Sequence, residues 1–429
     1  MADQTAQLNA DGKEYTLPIV EGTDGQRAVD VSELKEKTGL YVYDPTLNNT
    51  AVAQSEITRI DAENGKLLYR GYDVEALVKE SNFVDVSYLL FNGDLPDAAA
   101  HEAYSHSLSN HSMVHESMRN VFDAFPGDAH PLAILATMVT ALSSYYPQSY
   151  EENMKAGIDL KARLLAKVRT LAAWSYKKSI GHPVIYPQDD LPYCANLLNM
   201  MFAVPAEPYT VPEEDARVLN QIFILYSDHE QNSATATVRL LSSARANLFV
   251  CINAGISALW GAREGAYSVH TVPMLETMLS HNMSADQFFA HFINGEEAFR
   301  SPAFGHKKYN AMDPRARISR DLLHAYLKTK SESRLNPLIE KGLEVEQFVL
   351  GHPFFKEMKI YPNLDFYSAL IFLAMGMPRS MFNIMRVIGK MAGWLAHWEE
   401  ERLITRKAMR PQQVYTGVPE REFIPIEKR

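Results

Sequence analysis

The chain has 429 residues, of which 46% are hydrophobic and 22% are charged, and its formal net charge is -10. This length predicts two or three domains with a sizeable core, and the composition is that of an ordinary globular protein. The net negative charge argues against nucleic acid as a partner, because nucleic-acid binding depends on clustered Lys and Arg. It does not argue against a small anionic ligand, since a few local arginines can override the global sign.

The first 50 residues contain turn residues such as Gly12 and the run at 22–25, without helical periodicity, and they predict a β-rich segment. The N-terminus has neither a basic region nor an apolar core, so we expect no signal peptide and a cytoplasmic protein. From about residue 73 onward, apolar residues recur at helical spacing. This pattern predicts a mainly α-helical architecture.

Two apolar segments predict buried helices. The most apolar stretch, residues 247–262, is shorter than the roughly 20 residues that a membrane-spanning helix needs, so we expect a core helix and no membrane contact. A second helix is predicted at about 380–400, where Gly389 and Gly393 allow another backbone segment to approach closely. The residues that suggest a single buried stripe on it are Phe382, Met385, Ile388 and Trp394.

Metal and redox motifs are weak in this sequence. The pair His229-Glu230 is the nearest to a metal motif, but no second His follows at helical spacing. We therefore expect no metal and no tightly bound cofactor. Cys194 and Cys251 both lie in apolar sequence, which predicts two buried thiols in a reducing compartment.

Four short segments contain the residues that can do chemistry. They are Ser227-Asp228-His229-Glu230-Gln231-Asn232, residues 259–266 (Leu-Trp-Gly-Ala-Arg-Glu-Gly-Ala), Phe304-Gly305-His306 followed by Asp313-Pro314-Arg315, and residues 361–367 (Tyr-Pro-Asn-Leu-Asp-Phe-Tyr). Each segment is weak evidence alone, since an isolated His is more often a hydrogen-bonded core residue and a single Asp is often a helix cap.

Together, the order and spacing of these segments resemble the citrate synthase family, particularly its bacterial hexameric type. The resemblance extends along nearly the whole chain and includes residues 68–72, 179–183 and 393–398. It implies a cleft between two domains that closes on substrate. It also implies a homodimer or a homohexamer, because a residue near the C-terminus reaches the neighbouring subunit's site.

The resemblance further implies a domain division. The implied parts are a large helical domain (51–276 and 384–429), a smaller inserted helical domain (277–383) and a β-rich N-terminal segment (1–50).

The family reaction joins acetyl-CoA, a co-substrate, to a small anionic 2-oxo acid and then hydrolyses the thioester. The resemblance makes Asp365 the base that deprotonates the acetyl methyl, which is a weak carbon acid. It makes His306 the donor to the acceptor oxygen, where negative charge develops. Arg315 would bind an acceptor carboxylate, for which a planar guanidinium is suited, and His229 would donate to the same acceptor.

Three positions of the implied active site depart from the family pattern. Glu264 replaces a histidine that donates to the enol oxygen, and Arg263 before it is also foreign to the pattern. An ionised Glu264 would repel the enolate, whereas a protonated one could donate. Lys390 and Gln412 replace arginines that hold acceptor carboxylates, so the site loses two planar forks and one charge.

These departures predict an acyltransferase with an altered acceptor. One candidate is phosphonopyruvate, which would give 2-phosphonomethylmalate as in citrate synthase relatives of phosphonate biosynthesis, with Arg263, Lys390 and Arg386 as phosphonate contacts. A longer alkyl 2-oxo acid is another. Two alternatives stay open, namely a non-catalytic regulatory paralogue and ordinary but slow citrate synthesis.

The hexameric bacterial type also has an allosteric NADH site. The residues that the resemblance assigns to it are His111, Tyr146, Arg163 and Lys167, although Asn110 replaces an expected arginine. The alternative is that these residues serve only a subunit interface.

Overall fold

The computed structural model describes residues 4–146, 157–261, 266–295, 303–306, 308–309, 311–330, 336–404 and 407–429. The chain forms two compact units, one made of residues 1–55 and 409–429 and the other of residues 56–408. The division into a large domain and an inserted domain at 277–383 stays a prediction.

The first unit contains a three-stranded antiparallel sheet with its second strand in the centre. The strands are β1 (Thr5–Ala10), β2 (Lys13–Glu21) and β3 (Arg27–Val29). Asp11 and Gly12 both have positive φ, 49° and 73°, which is the backbone of a tight hairpin between β1 and β2. The predicted β-rich segment is therefore present, but it ends early, because a short helix α1 (Leu34–Thr38) follows.

The second unit is mainly helical, as predicted, and helix α2 begins at Val74. A small antiparallel sheet precedes it, formed by β4 (Thr58–Asp61), β5 (Lys66–Tyr69) and β6 (Tyr72–Asp73). The helices are α2 (Val74–Glu80), α3 (Phe83–Asn92), α4 (Ala98–Asn110), α5 (Met118–Asp123), α6 (Pro131–Tyr145), α7 (Gly157–Ser179), α8 (Tyr193–Phe202), α9 (Glu213–Tyr226), α10 (Ser233–Ser243), α11 (Leu248–Leu259), α12 (Ala266–Ser280), α13 (Ala285–Ile293), α14 (Pro314–Leu327), α15 (Pro337–Gly351), α16 (Pro353–Glu357), α17 (Leu364–Ala374) and α18 (Phe382–Ile404).

The predicted core helix in the most apolar stretch is α11, whose first turn is capped by the side chain of Asn247. Cys194 and Cys251 are both free and buried, as predicted. Among the described residues, none of the helices combines the length and the apolar composition that crossing a membrane requires.

Helix α18 is the central helix of the second unit. Its side chains are buried without interruption from Phe382 to Trp398, and it packs against α3, α7, α9, α10 and α11. The prediction of a single buried stripe is therefore wrong, because a helix surrounded by other helices buries every face.

The two predicted close approaches on α18 are confirmed. A Cβ added at Gly389 would lie 2.6 Å from Cβ of Tyr226, and one added at Gly393 would overlap the carbonyl oxygen of Ser227 and the carboxylate of Asp228. The amide of Gly393 also donates to Ser227 O at 3.0 Å. The two glycines therefore let α18 hold the end of α9 and the segment after it in place.

Candidate active site

Two distant segments are joined by backbone hydrogen bonds at the site. The amide of Gly305 donates to Tyr361 O at 2.7 Å, and the amide of Asn363 donates to Ala303 O at 3.1 Å. Gly305 has a φ of 74°, a left-handed conformation that glycine adopts without strain. The chain immediately before His306 is thereby fixed to the chain immediately before α17, which begins at Leu364.

Two histidines meet at this junction. The rings of His229 and His306 lie edge to face with centroids 4.7 Å apart, and the hydroxyl of Tyr309 is 3.0 Å from Nε2 of His229. Burial lowers the pKa of His229 well below its usual 6.5, and the nearby Arg315 cation lowers it further. Burial, with the same cation, lowers the pKa of His306 to about 4. Both imidazoles are therefore neutral at pH 7, so each keeps one N–H to donate.

These two histidines predict a loss of stability in mild acid. Each pKa lies below 6.5 in the folded protein, so protons bind more readily to the unfolded chain and favour unfolding. We expect the free energy of unfolding to fall as pH decreases from about 6.5 towards 4, and these groups to contribute no pH dependence above that range. Urea unfolding at several pH values measures this.

A His306→Asn variant should show a shallower acid loss than the wild type. His182→Asn is the matched control, because His182 is exposed and should not alter the slope. An unchanged acid slope in His306→Asn would contradict the assignment of that loss to His306.

Arg315 lies in the first turn of α14, whose N-terminal cap is Asp313. The Asp313 carboxylate accepts from Arg315 Nε at 3.1 Å and from Nη2 at 2.7 Å. Although burial opposes it, this carboxylate raises the pKa of Arg315 above its usual value and keeps it charged. Nε and one N–H of Nη2 are committed to Asp313, so Nη1 and the second N–H of Nη2 form the fork that an acceptor carboxylate would reach.

Asp365 lies in the first turn of α17, which is capped by Asn363, and its side chain is largely buried. The hydroxyl of Tyr226 is 3.3 Å from Asp365 Oδ1, and Nε of Arg386 is 3.4 Å from the same oxygen. Tyr226 donates a hydrogen bond to this oxygen, and the Arg386 guanidinium forms an ion pair with it. The structure thus provides a desolvated carboxylate that interacts electrostatically with His306.

Asp228 belongs to a buried network behind His229. Its carboxylate lies 3.2 Å from Nε2 of His397, and Nδ1 of His397 is 3.1 Å from Nη1 of Arg239. Arg239 also pairs with Glu400 and Glu401, each at 2.7 Å. Burial alone would raise the pKa of Asp228, but His397 holds it below its usual value. Asp228 therefore orients the segment that contains His229.

Two further predicted binding residues lie on α18. Lys390 is buried one turn after Arg386, and its charge contributes to the lowered pKa of His229.

Near the histidines, Lys308 Nζ forms an ion pair at 2.6 Å with Glu230 Oε2 and so joins the chain after His306 to the chain after His229.

The remaining predicted active-site residues are Arg263, Glu264 and Gln412. Arg263 and Glu264 lie outside the described residues. Gln412 is exposed in the unit formed by residues 1–55 and 409–429, and its side-chain amide donates to Arg410 O at 3.2 Å.

Two site tyrosines were missed by the sequence interpretation. Tyr309 follows His306 by three positions, and Tyr226 immediately precedes the first motif. A tyrosine at a helix end is usually a core residue, so only its position beside a motif could have indicated a role.

The side chains His229, His306 and Asp313 place one potential metal-ligand atom each within 4.8 Å of one another. However, both Asp313 oxygens already accept from Arg315, and Nε2 of His229 lies at hydrogen-bond distance from Tyr309. His229 and His306 can thus serve as hydrogen-bond donors next to the ion pair of Asp313 and Arg315.

The four residues assigned to an NADH site are close together. The guanidinium of Arg163 and the ammonium of Lys167 lie 5.1 and 5.3 Å from the ring centroid of Tyr146. Lys167 Nζ also donates to His111 O at 3.1 Å. Burial, together with Arg163, lowers the pKa of Lys167 to about 8.

A separate cavity of about 910 Å³ lies between α4, α8 and α9. Its lining includes His101, Arg169, Tyr193 and Asn199, and none of the predicted active-site residues. His229, His306, Arg315 and Asp365 therefore do not line this cavity.

Comparison with known proteins decides the family. A family model described as the citrate synthase C-terminal domain matches residues 46–412. This chain belongs to the citrate synthase family. Citrate synthase 1 of Mycobacterium tuberculosis is 40% identical over 429 residues, covering 100% of this chain and 99% of that relative. The chain is accordingly an acetyl-CoA condensing transferase of the citrate synthase type.

Solved structures of the family have the same fold. The citrate synthase of Pyrobaculum aerophilum superposes with a TM-score of 0.80 at 28% identity, covering 100% of both chains. That of Thermotoga maritima superposes with a TM-score of 0.75 at 28% identity, covering 90% of this chain and 99% of the other. The predicted mainly helical citrate synthase-like fold is therefore confirmed.

Proposed function

We propose that this chain condenses acetyl-CoA with oxaloacetate, a small anionic 2-oxo acid, and then hydrolyses the citryl thioester. The observation that carries the proposal is the meeting of two neutral histidines, a fixed arginine and a buried carboxylate at one junction. The 40% identity to a citrate synthase along the whole chain supports oxaloacetate as the acceptor.

In the proposed reaction, Asp365 removes a proton from the acetyl methyl, and the resulting enolate carbon attacks the ketone carbon of the acceptor. The neutral imidazole of His306 donates to the ketone oxygen as that oxygen becomes an alkoxide. Arg315 binds an acceptor carboxylate, and His229 donates to the same molecule. Water then cleaves the thioester and releases the CoA thiol. The step balances because the proton that Asp365 takes from the methyl is matched by the proton that the alkoxide takes up to become the hydroxyl of the citryl thioester.

The altered acceptor predicted from Glu264, Lys390 and Gln412 gains no support from the relatives, and phosphonopyruvate enters only as a comparison substrate. Lys390 is buried near His229, so its ammonium is a candidate partner for a carboxylate. The non-catalytic paralogue is also disfavoured, since a dead site has no physical need for the complete set of Asp365, His306, Arg315 and His229.

We also propose that the chain works as a homodimer or homohexamer and that residues 277–383 close over the substrates. The cluster of Arg163, Lys167 and Tyr146 is proposed to bind the anionic portion of NADH, because two cations flank an aromatic ring there. NADH titration of activity in wild type and in Arg163→Gln would test this role.

Thiol release from acetyl-CoA with a panel of 2-oxo acids tests the acceptor. We expect oxaloacetate to give the highest kcat/KM, with citrate identified by mass. A Glu264→His, Lys390→Arg, Gln412→Arg variant should raise kcat/KM for oxaloacetate, since one restored donor is worth about 10²–10³ in rate.

A higher kcat/KM for phosphonopyruvate or a longer 2-oxo acid in the wild type would overturn the oxaloacetate assignment. In that case the triple variant should lose this other activity. No thiol release with any acceptor would favour the non-catalytic alternative.

A further inference from the structure

Arg386 reaches the proposed base from a different helix. It is 7% exposed on α18, and its Nε lies 3.4 Å from Asp365 Oδ1 on α17. Its guanidinium carbon lies 5.9 Å from the ring centroid of Tyr226, whose hydroxyl contacts the same carboxylate oxygen. A buried cation and a buried hydroxyl therefore converge on one oxygen of Asp365.

We propose that Arg386 is a positioning residue for the condensation, which fixes Asp365 Oδ1, places a positive charge beside the carboxylate and leaves Oδ2 to receive the methyl proton. This inference rests on the proposed function. It deepens that function by assigning the two oxygens of the base different tasks.

The contacts explain why the two oxygens differ. Oδ1 faces the Arg386 Nε and the Tyr226 hydroxyl, and the hydroxyl of Tyr226 is itself 2.5 Å from Ser368 Oγ. An oxygen that accepts a hydrogen bond from Tyr226 and forms an ion pair with Arg386 restricts rotation of the carboxylate, so the second oxygen keeps one direction. Proton transfer from carbon requires such alignment, because the reacting atoms must meet at close range.

The other charged groups near Asp365 either act on its carboxylate electrostatically or pair with residues of the neighbouring helices. From the loop after α13, His306 interacts electrostatically with Asp365. The other helices packed against α17 are α12, α14 and α15. The ionisable side chains that α14 and α15 present around Tyr367 are Arg320, Asp321 and Glu346. On α12, Glu276 pairs with Arg379. Arg386, in contrast, contacts the Asp365 carboxylate directly.

Arg386 also suits the charge movement of the step. When Oδ2 takes the proton, the negative charge leaves Asp365 and appears on the enolate. A guanidinium stays charged throughout this step.

The test compares Arg386→Gln, Arg386→Lys and the matched surface control Arg379→Gln. The pH dependence of kcat and kcat/KM for acetyl-CoA is measured at saturating oxaloacetate. We expect Arg386→Gln to lose at least about tenfold in kcat and to move the acid limb of kcat/KM up by about one pH unit, because a neighbouring cation favours the carboxylate. The KM for oxaloacetate should change by less than about threefold.

Arg386→Lys should restore the acid limb but only part of kcat, since lysine keeps the charge and loses the planar donor. Arg379→Gln should match the wild type. A wild-type acid limb and kcat in Arg386→Gln would overturn the proposal. Where Arg386→Gln fails to fold, Arg386→Lys and Tyr226→Phe carry the test, because each weakens one contact to Oδ1, and wild-type kcat in both would overturn it.

A second readout separates this inference from the proposed function. The carboxyl carbon of Asp365 can be followed by ¹³C NMR in protein made with labelled aspartate, with its signal assigned by its absence in Asp365→Asn. If the wild type releases no thiol, the proposed function fails, but the titration still decides the role of Arg386. A carboxylate that titrates alike in wild type and Arg386→Gln would refute it, and one that titrates at higher pH in the variant would support it.

Discussion

Asp365→Asn should abolish condensation while leaving acetyl-CoA binding largely intact. A carboxamide cannot accept the methyl proton, and loss of a general base costs about 10²–10⁴ in rate. The change is nearly isosteric, and Asn can still accept from Tyr226 at the amide oxygen. We therefore expect kcat for thiol release to fall below about 1% of wild type, while calorimetric titration with acetyl-CoA gives a similar affinity.

Asp321→Asn is the control, because Asp321 is an exposed residue of α14 that pairs with Arg320. It should retain full activity. Should Asp365→Asn keep more than a few per cent of wild-type kcat, another group must remove the proton, and Asp365 would serve only to bind or orient substrate.

Gly393→Ala should damage stability and activity together. The added methyl group would overlap the Ser227 carbonyl and the Asp228 carboxylate, where the turn leading to His229 is packed on α18. Overpacking a tight interface typically costs about 1–3 kcal/mol, and here the atoms that must move are backbone and a buried charge. We expect a loss of about 3 kcal/mol in the free energy of unfolding, with most activity lost as His229 shifts.

Gly351→Ala is the matched control, since a Cβ at the end of α15 meets no atom within 4 Å. It should leave both the denaturant midpoint and kcat near their wild-type values. Equal behaviour of the two variants would mean that α18 does not need a glycine where it contacts the 227–228 segment.

The sequence allowed much of the fold to be predicted, because helical periodicity persists from about residue 73 and α2 begins at Val74. It failed where tertiary packing overrides local pattern. Helix α18 is buried on every face from Phe382 to Trp398, so the predicted stripe of buried residues does not differ from its other faces. Helix α1 has only five residues and too few turns to show a period.

The candidate site was predicted through its motifs, and the structure brings His229, His306, Arg315 and Asp365 into one region. The motifs could not indicate the pairing of Arg315 with Asp313 or the contact of Arg386 with Asp365. Arg386 and Asp365 lie on different helices, and their contact depends on how those helices cross. The spacing of residues along the sequence does not reveal how two helices cross.

The backbone hydrogen bonds between residues 303–305 and 361–363 have a bearing on evolution and engineering. These bonds set the distance between the backbone at His306 and the backbone at Asp365. The chain between these two residues can therefore vary as long as its ends stay in these positions. Loop-closure entropy grows slowly with length, so an added surface loop costs little once both ends are anchored. Related proteins could therefore differ in the chain between His306 and Asp365 while the geometry of proton transfer stays the same.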